Sequence, residues 1–493
     1  MFVSEGSCDH IMYHDASKLI QALRDPAVFS RHIIGRPLRD YQLEPMRAIL
    51  RSVVAGEGRV FTVMFARQMG KNELSAHLEA YLMTLFQRAG GSIVKAAPTF
   101  KPQVLISKAR LESALNNPLH HGRWRGEWGH IVRLGQARTI FFSGEAGANV
   151  MGATASLLLE IDEAQDFDEG KYQRDFRPMA SSTNATTVLY GTAWAEDDLL
   201  AKQKRANLEA EAGDGIRRHF EYDWTVLAAI SPAYRRFVEG ERERLGEDHP
   251  LFVTQYALRP IPGAGRLFSE AQLAQLAGEH RRLHGPVSGT SEAPLTGVAG
   301  LDLAGEGPGE RDQSVLTIAE VEERVVAGVV QPVLRVVEHV CWAGVPLAEL
   351  QLQLADLLGR VWRVRRVAVD ATGLGAGVAS FLAAALGPGV VLPVVFSAAS
   401  KSRLGYELLA AVSTGRLRMY AEDGSAESRE FWAQMRACRR EIGLGQTLRF
   451  GVPAHEGHDD FVISAALCVR AAQEVGVAPA SAIVEAGDVL EWR

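Results

Sequence analysis

Apolar positions along this 493-residue chain follow two rhythms. Unbroken apolar runs of strand length recur at RVFTVMF (59–65), SIVKAA (92–97), TIFFS (139–143), SLLLEI (156–161) and TVLYG (187–191). Between them the apolar residues return every three or four positions. In NELSAHLEAYLMTLF, for example, Leu74, Leu78, Tyr81, Leu82, Leu85 and Phe86 share one helical stripe. Strands that are apolar throughout, separated by amphipathic helices, predict a parallel sheet covered by helices. This rhythm fills residues 37–200 after a helical lead-in (1–36). Residues 200–260 are charged and mostly helical, a lid by expectation, and close a first domain of 37–260. Pro, Gly and Ser in RPIPGAGRLF and GPVSGTSEAP predict a linker over 261–295. Strands resume at 298–304, 314–321 and 326–340, and alternate with helices to residue 475, giving a second domain of 296–475 and a tail of 476–493.

Length agrees with this division, since a single hydrophobic core rarely serves so long a chain. With 47% hydrophobic and 23% charged residues the composition is that of an ordinary globular protein. No run of eighteen apolar residues and no signal-peptide pattern occurs, which predicts no membrane partner. Cys8, Cys341, Cys438 and Cys468 have neither metal-site nor disulfide spacing, as suits a reducing cytoplasm. A net charge of −6 excludes a globally basic nucleic-acid binder. Any DNA contact is expected from local patches such as 280–284, 360–366 and 436–440.

Two strand ends carry the first candidate chemistry. The run 59–65 leads into Arg67-Gln68-Met69-Gly70-Lys71-Asn72 and then a helix, the layout of a phosphate-binding loop. Gly70 admits the phosphate oxygens to the backbone, Lys71 neutralises them, and the helix start adds its partial positive charge. The strict pattern is broken twice, by Phe65 at the first glycine position and Asn72 at the Ser/Thr position. By itself such a loop could be an ordinary helix start. LLLEIDEAQ is more specific, because Asp162 and Glu163 leave the core side by side. Burying adjacent carboxylates for structure alone is unfavourable. A Mg²⁺ ligand and a water-polarising base explain them, and the pair of motifs predicts hydrolysis of a nucleoside triphosphate, ATP with Mg²⁺.

The second domain carries acids at Asp302, Asp370 and the adjacent Asp459-Asp460. Three successive strands, a helix, a strand ending in an acid, and a last helix opened by acids follow the order of an RNase H-like fold. That fold brings distant carboxylates together. Oxygen-only ligands suit two Mg²⁺ or Mn²⁺ ions, roughly 3.5–4 Å apart in two-metal phosphodiester cleavage. His458, in the loop before them, is as readily incidental as assisting.

A P-loop ATPase domain of the RecA/ASCE-like parallel-sheet type, followed by an RNase H-like nuclease domain, resembles the large terminase subunit of tailed bacteriophages. The resemblance covers residues 37–475 and rests on RQMGK, IDEAQ and the ordered acids. It implies Gln42, in Leu38-Arg39-Asp40-Tyr41-Gln42, as adenine contact, Arg67 as arginine finger and Lys71 as phosphate lysine. It implies Asp162 as Mg²⁺ ligand, Glu163 as catalytic base and Thr192, in Tyr190-Gly191-Thr192-Ala193, as coupling sensor. Asp302, Asp370 and Asp460 would be nuclease metal ligands, with Asp459 a fourth. It further implies a packaging motor in the host cell cytoplasm: a homo-oligomer on the capsid portal protein, guided by a small terminase subunit, pumping and cutting double-stranded DNA. The alternatives are a helicase-nuclease of repair or restriction, which needs a second RecA-like lobe, and a non-catalytic DNA-binding assembly factor.

Overall fold

The apolar runs become buried strands in two separate sheets. The computed structural model describes residues 20, 24–145, 147–148, 150, 152–262, 264–285, 296–304, 313–326 and 329–475. The chain divides into two compact units, the first comprising residues up to 238 with 250–263 and 444–446, the second 239–249, 264–443 and the chain from 447 onward.

In the first unit the strands are β1 (Val60–Phe65), β2 (Gly91–Ala97), β3 (Trp124–Glu127), β4 (Ile131–Leu134), β5 (Ala137–Ser143), β6 (Leu158–Ile161), β7 (Thr186–Gly191) and β8 (His219–Tyr222). They form one sheet in the order β3-β4-β5-β2-β6-β7-β1-β8. From β5 to β8 every pairing is parallel, while β3, β4 and β5 pair antiparallel. Val63, Val94, Leu159 and Leu189 are wholly buried, as strands covered on both faces require. Helix Lys71–Phe86 packs on β1, β2 and β5, and helix Leu199–Asp214 on β1, β7 and β8. This is the expected parallel sheet of a P-loop domain. The stretch expected to be a mostly helical lid contributes β8 to the sheet edge beside β1, because His219-Phe220-Glu221-Tyr222 is too short for its alternation to stand out.

A charged residue sits in the middle of this apolar sheet. Lys95 on β2 is 2% exposed and donates to Glu79 Oε1 at 2.9 Å and to Ser75 Oγ at 2.7 Å. Glu160 Oε1 on β6 accepts from Ser75 Oγ and from Tyr190 OH, each at 2.8 Å. Burial opposes the Lys95 charge, but Glu79, Glu160 and Asp162 outweigh it and hold the ammonium protonated. Burial, and then the Glu79 charge, push the Glu160 carboxyl well above the carboxylate range. One helix and three strands are thus bound through one cation.

The second unit contains β9 (Ala264–Arg266), β10 (Thr296–Asp302), β11 (Ser314–Val326), β12 (Val329–Trp342), β13 (Arg366–Asp370), β14 (Val391–Val394), β15 (Leu417–Arg418), β16 (Arg439–Gly443) and β17 (Thr447–Gly451). The main sheet runs β14-β13-β10-β11-β12-β15, with β9, β16 and β17 in a small separate sheet. The strands β10, β11 and β12 are consecutive and antiparallel, and β13 then β14 add in parallel on the other side of β10. That is the RNase H-like arrangement. Helix Asp460–Gln473 packs on β10, β11 and β13. Its backbone comes so close to β10 that a Cβ on Gly300 would lie 2.1 Å from the Ser464 carbonyl oxygen.

The expected linker is in part core. Within it, β9 and helix Glu270–Leu276 are ordered elements, and Leu267, Phe268, Leu273 and Leu276 belong to the hydrophobic core of the second unit. The Pro and Gly residues that suggest a linker flank an apolar repeat, which decides the outcome. Residues 286–295, the tail 476–493 and most of the lead-in lie outside the described residues; helix Pro26–His32 of the lead-in is capped by Asp25, whose carboxylate accepts from Ala27 N.

Replacing Lys95 by Met removes the cation and leaves the buried Glu79 carboxylate without a countercharge, with the Ser75 hydroxyl still donating to it. We expect a loss of about 3–5 kcal/mol in urea unfolding. Glu160→Gln, which replaces a carboxyl raised above its ordinary range with an amide of the same shape, is expected to stay within about 1 kcal/mol of the parent. Equal losses in both would show that the proton is not on Glu160.

Candidate functional site

The carboxyl ends of β1, β7 and β6, three adjacent parallel strands, place the phosphate loop, Thr192 and the Asp162-Glu163 pair side by side. Helix Lys71–Phe86 begins at Gly70 with no side-chain cap, so its first amides are left for a ligand. Gly70 is in the left-handed region (φ 84°), and a Cβ there would stand 2.5 Å from Gln42 Nε2. Gln68 (φ 63°) and Glu163 (φ 47°) share that region without being glycine. Such strain collects at functional loops. A cavity of about 740 Å³ lies over the loop, lined by Arg67, Gly70, Lys71, Asn72, Glu163 and Thr192 among others.

Within this cavity Lys71 Nζ pairs with Glu163 Oε1 at 2.8 Å. Burial opposes ionisation of Glu163, but Lys71 outweighs it and sets the carboxyl below its ordinary value. Asp162 is buried and shifted upward, by burial first and then by the Glu163 charge. Ser107 Oγ donates to Asp162 Oδ2 at 3.2 Å. Arg67 Nη1 donates to Gln255 Oε1 at 2.6 Å, while Tyr234 OH donates to the Arg67 carbonyl at 2.8 Å. These contacts hold the arginine at the rim of the cavity.

Gln42, the expected base contact, is engaged with the backbone of the phosphate loop. It is 2% exposed and does not line the cavity. Its Nε2 donates to the Gly70 carbonyl at 2.9 Å, and its Oε1 accepts from Arg39 N at 2.9 Å. Tyr41 OH donates to the Met69 carbonyl at 2.8 Å. The Arg39-Asp40-Tyr41-Gln42 segment therefore clamps the loop from behind, with both ends of the Gln42 amide in use.

Gln165 carries a link that sequence reasoning passes over. Its Nε2 donates to Glu163 Oε2 at 2.8 Å, and its Oε1 accepts from Thr192 N at 3.2 Å. A Cβ on Gly191 would lie 2.2 Å from that Oε1, so glycine there gives the amide its path. Asp166, beside it, is pushed up to about 6 by burial and by the Glu163 charge. The only sequence signal for Gln165 is its place in the IDEAQ run. For Ser107 there is none.

In the second unit, Leu301 pairs with Val369 across β10 and β13, which sets the next residues, Asp302 and Asp370, side by side at the strand ends. Asp302 is 8% exposed, and Asp370 Oδ1 accepts from Thr372 N at 2.9 Å. Helix Asp460–Gln473 brings Asp460 and its preceding residue Asp459 to the same end. Burial drives the Asp302 carboxyl well above its ordinary range, and Asp460, Asp370 and Asp459 drive it further. Lys401, which also lies 5.6 Å from the centroid of the Phe396 ring, is the one cation among the main influences on Asp302. The four acids therefore share one electrostatic neighbourhood. Yet among the described residues no three His, Cys, Asp or Glu side chains are grouped to hold a metal ion. Asp302 and Asp370 are adjacent in register, and Asp459 and Asp460 bear on the same Asp302 carboxyl. His458 lies half-buried in the loop before them.

Four arginines of the expected basic patches have partners within the fold. Arg282 pairs with Glu338 and Glu427, Arg360 with Asp356, and Arg439 with Glu456, while Arg436 lies over the Trp432 ring.

No protein-family model matches the sequence, and no curated protein matches it. Among solved structures, the chain is similar to the large terminase of bacteriophage HK97, at 15% identity, covering 91% of this chain and 99% of that one with a TM-score of 0.39. It is similar to the large terminase of a thermophilic bacteriophage in complex with ATP-γ-S, at 12% identity, 88% and 99% coverage and a TM-score of 0.49. It is also similar to the large terminase nuclease of the thermophilic phage G20c with bound magnesium, at 19% identity, 42% and 96% coverage and a TM-score of 0.31. These likenesses are of fold alone.

Proposed function

We propose that this chain is the large subunit of a viral DNA-packaging terminase, an ATPase joined to a metal-dependent endonuclease acting on double-stranded DNA. The observation that supports it most is the Lys71–Glu163 pair at 2.8 Å inside the loop cavity, in a chain whose second unit sets Asp302 beside Asp370. A helicase-nuclease would need a second RecA-like lobe, and among the described residues the second unit is built as an RNase H-like sheet. The portal protein, the small subunit and the oligomer on the capsid belong to the same proposal through the family resemblance.

In this reading ATP enters the cavity and its phosphates compete for Lys71. Glu163 is then freed from the ion pair and turns to the attacking water, whose proton it accepts as the γ-phosphoryl group leaves. Lys71 and Arg67 hold the charge that develops on the phosphate oxygens. Asp162 and the Asn72 amide oxygen are the donors that would hold Mg²⁺, which offsets phosphate charge when bound. Gln165 fixes the Glu163 carboxylate and passes its position to Thr192, a route from phosphate state to strand β7. In the second unit, Asp302, Asp370, Asp460 and Asp459 offer the oxygen-only donor set that divalent cations prefer. Mg²⁺ or Mn²⁺ there would supply Lewis-acid activation for phosphodiester hydrolysis.

Lys71→Ala should abolish ATP hydrolysis, and Glu163→Gln should retain nucleotide binding while stopping turnover. Arg67→Ala should lower kcat by about 10³-fold with little change in nucleotide affinity. Normal rates in the first two variants would remove the assignment.

Gln165→Ala leaves the base in place without its orienting hydrogen bond. A fall in kcat of about 10²-fold at unchanged KM is expected, together with loss of any stimulation by DNA. Stimulation that survives intact would place the coupling route elsewhere.

Asp302→Asn and Asp370→Asn should lose DNA cleavage yet keep ATP hydrolysis, because the two centres occupy different units. Cleavage of a plasmid substrate that persists in EDTA would refute a metal-dependent nuclease.

A further inference from the structure

The β3–β4 hairpin breaks three local preferences at once, and nothing within the fold compensates for all of them. Its turn begins with Trp128 in the left-handed region (φ 46°), followed by Gly129 (φ 75°). Asn, Asp or Gly adopt that conformation at low cost, whereas a bulky aromatic does so only under strain. The Trp128 side chain is nevertheless 82% exposed, so no packing repays the strain. His130 Nδ1 donates to the Trp128 carbonyl at 2.8 Å and secures this conformation. Below the turn, Arg125 stands directly opposite Arg133 across the two strands. Like charges in that position repel. Glu127 takes a 2.9 Å contact from each, so one carboxylate serves two guanidinium groups. Arg123 is exposed just before β3. Residues 121–133 therefore carry three arginines against one glutamate, in a chain with a net charge of −6.

We propose that this hairpin is a DNA-contacting element of the first unit, in which Arg123 and Arg125 meet backbone phosphates and the Trp128 indole is seated against the duplex. The inference rests on the proposed action on double-stranded DNA and names a surface for it apart from the basic patches read from the sequence. Exposed arginines in and just before the strand that leads to an exposed aromatic ring match the chemistry of a nucleic-acid backbone, where guanidinium groups replace counterions and a planar side chain packs on sugars and base edges. The hairpin ends the sheet at β3, with β4, β5, β2, β6 and β7 between it and β1.

The test uses the full-length protein in EDTA with a fluorescently labelled blunt duplex, read by anisotropy across a salt series. Trp128→Asn places a residue suited to the left-handed turn, so thermal stability should hold or rise while the dissociation constant increases about tenfold. Arg123→Ala combined with Arg125→Ala should weaken binding and lower the salt slope by about two, since two phosphates are no longer neutralised. Basal ATPase activity without DNA should be unchanged in all variants. Parent protein that binds DNA equally to the variants would overturn the hairpin assignment and leave the terminase reading standing. Parent protein that fails to bind DNA at all would overturn both. Variants that alter sedimentation but not DNA affinity would make the hairpin a contact with a second copy of the chain and overturn the proposal.

Discussion

A buried ammonium governs the geometry of the proposed ATP site. Lys95 is surrounded by apolar strand residues and can remain charged there only while Glu79, Ser75 and Glu160 stay within reach. Those partners lie on the helix that starts at the phosphate loop and on the strand that ends at Asp162. Tyr190, which donates to Glu160, lies two residues before Thr192. The cost of exposing any one of these groups falls on all of them, because a buried charge without its partner is far less stable than a satisfied network. A short rigid lever therefore leads from the core to each of three chemical positions.

Above that core, a second layer of hydrogen bonds sets the mobile chemistry. Tyr41 and Gln42 hold the loop carbonyls from behind, and Gln165 bridges the base to the Thr192 amide. The layers differ in kind. The lower one is closed off from water and constrains position, whereas the upper one is partly exposed and can change partners when a phosphate draws Lys71 away from Glu163. In the second unit the one cation among the main influences on Asp302 is Lys401. Burial, and then repulsion from Asp460, Asp370 and Asp459, raise the Asp302 carboxyl above its ordinary range.

What the sequence makes legible follows from how each signal arises. Parallel buried strands are apolar at every position, so β1, β2, β5, β6 and β7 stand out to within a few residues. The short amphipathic strands β3, β4 and β8 do not, since four alternating residues look like any loop. Strand-end acids are legible because a carboxylate directly after an apolar run has few structural uses. The Gln42 amide could serve a base or a backbone carbonyl equally well, and the fold engages it with the Gly70 carbonyl, a partner that sequence spacing does not reveal. Gln165 could not be assigned from composition or spacing, because its two partners come from separate strands. Sequence clustering of basic residues says nothing about the acids that meet some of them in three dimensions, as Glu338 and Glu427 meet Arg282.

Backbone strain separates positions that the fold requires from positions it tolerates. Gln68 and Glu163 adopt left-handed conformations within the phosphate site, where tight turns must aim side chains at one small volume. Gly70 shows what the same region costs when a close neighbour is also present: Gln42 leaves no room for a Cβ, and only glycine serves. Trp128 is the contrary case. There is open solvent around it, many residues would fit with less strain, and a large ring stands there regardless. Strain imposed by crowding is explained inside the molecule. Strain borne by an exposed aromatic is explained only by something that meets it from outside.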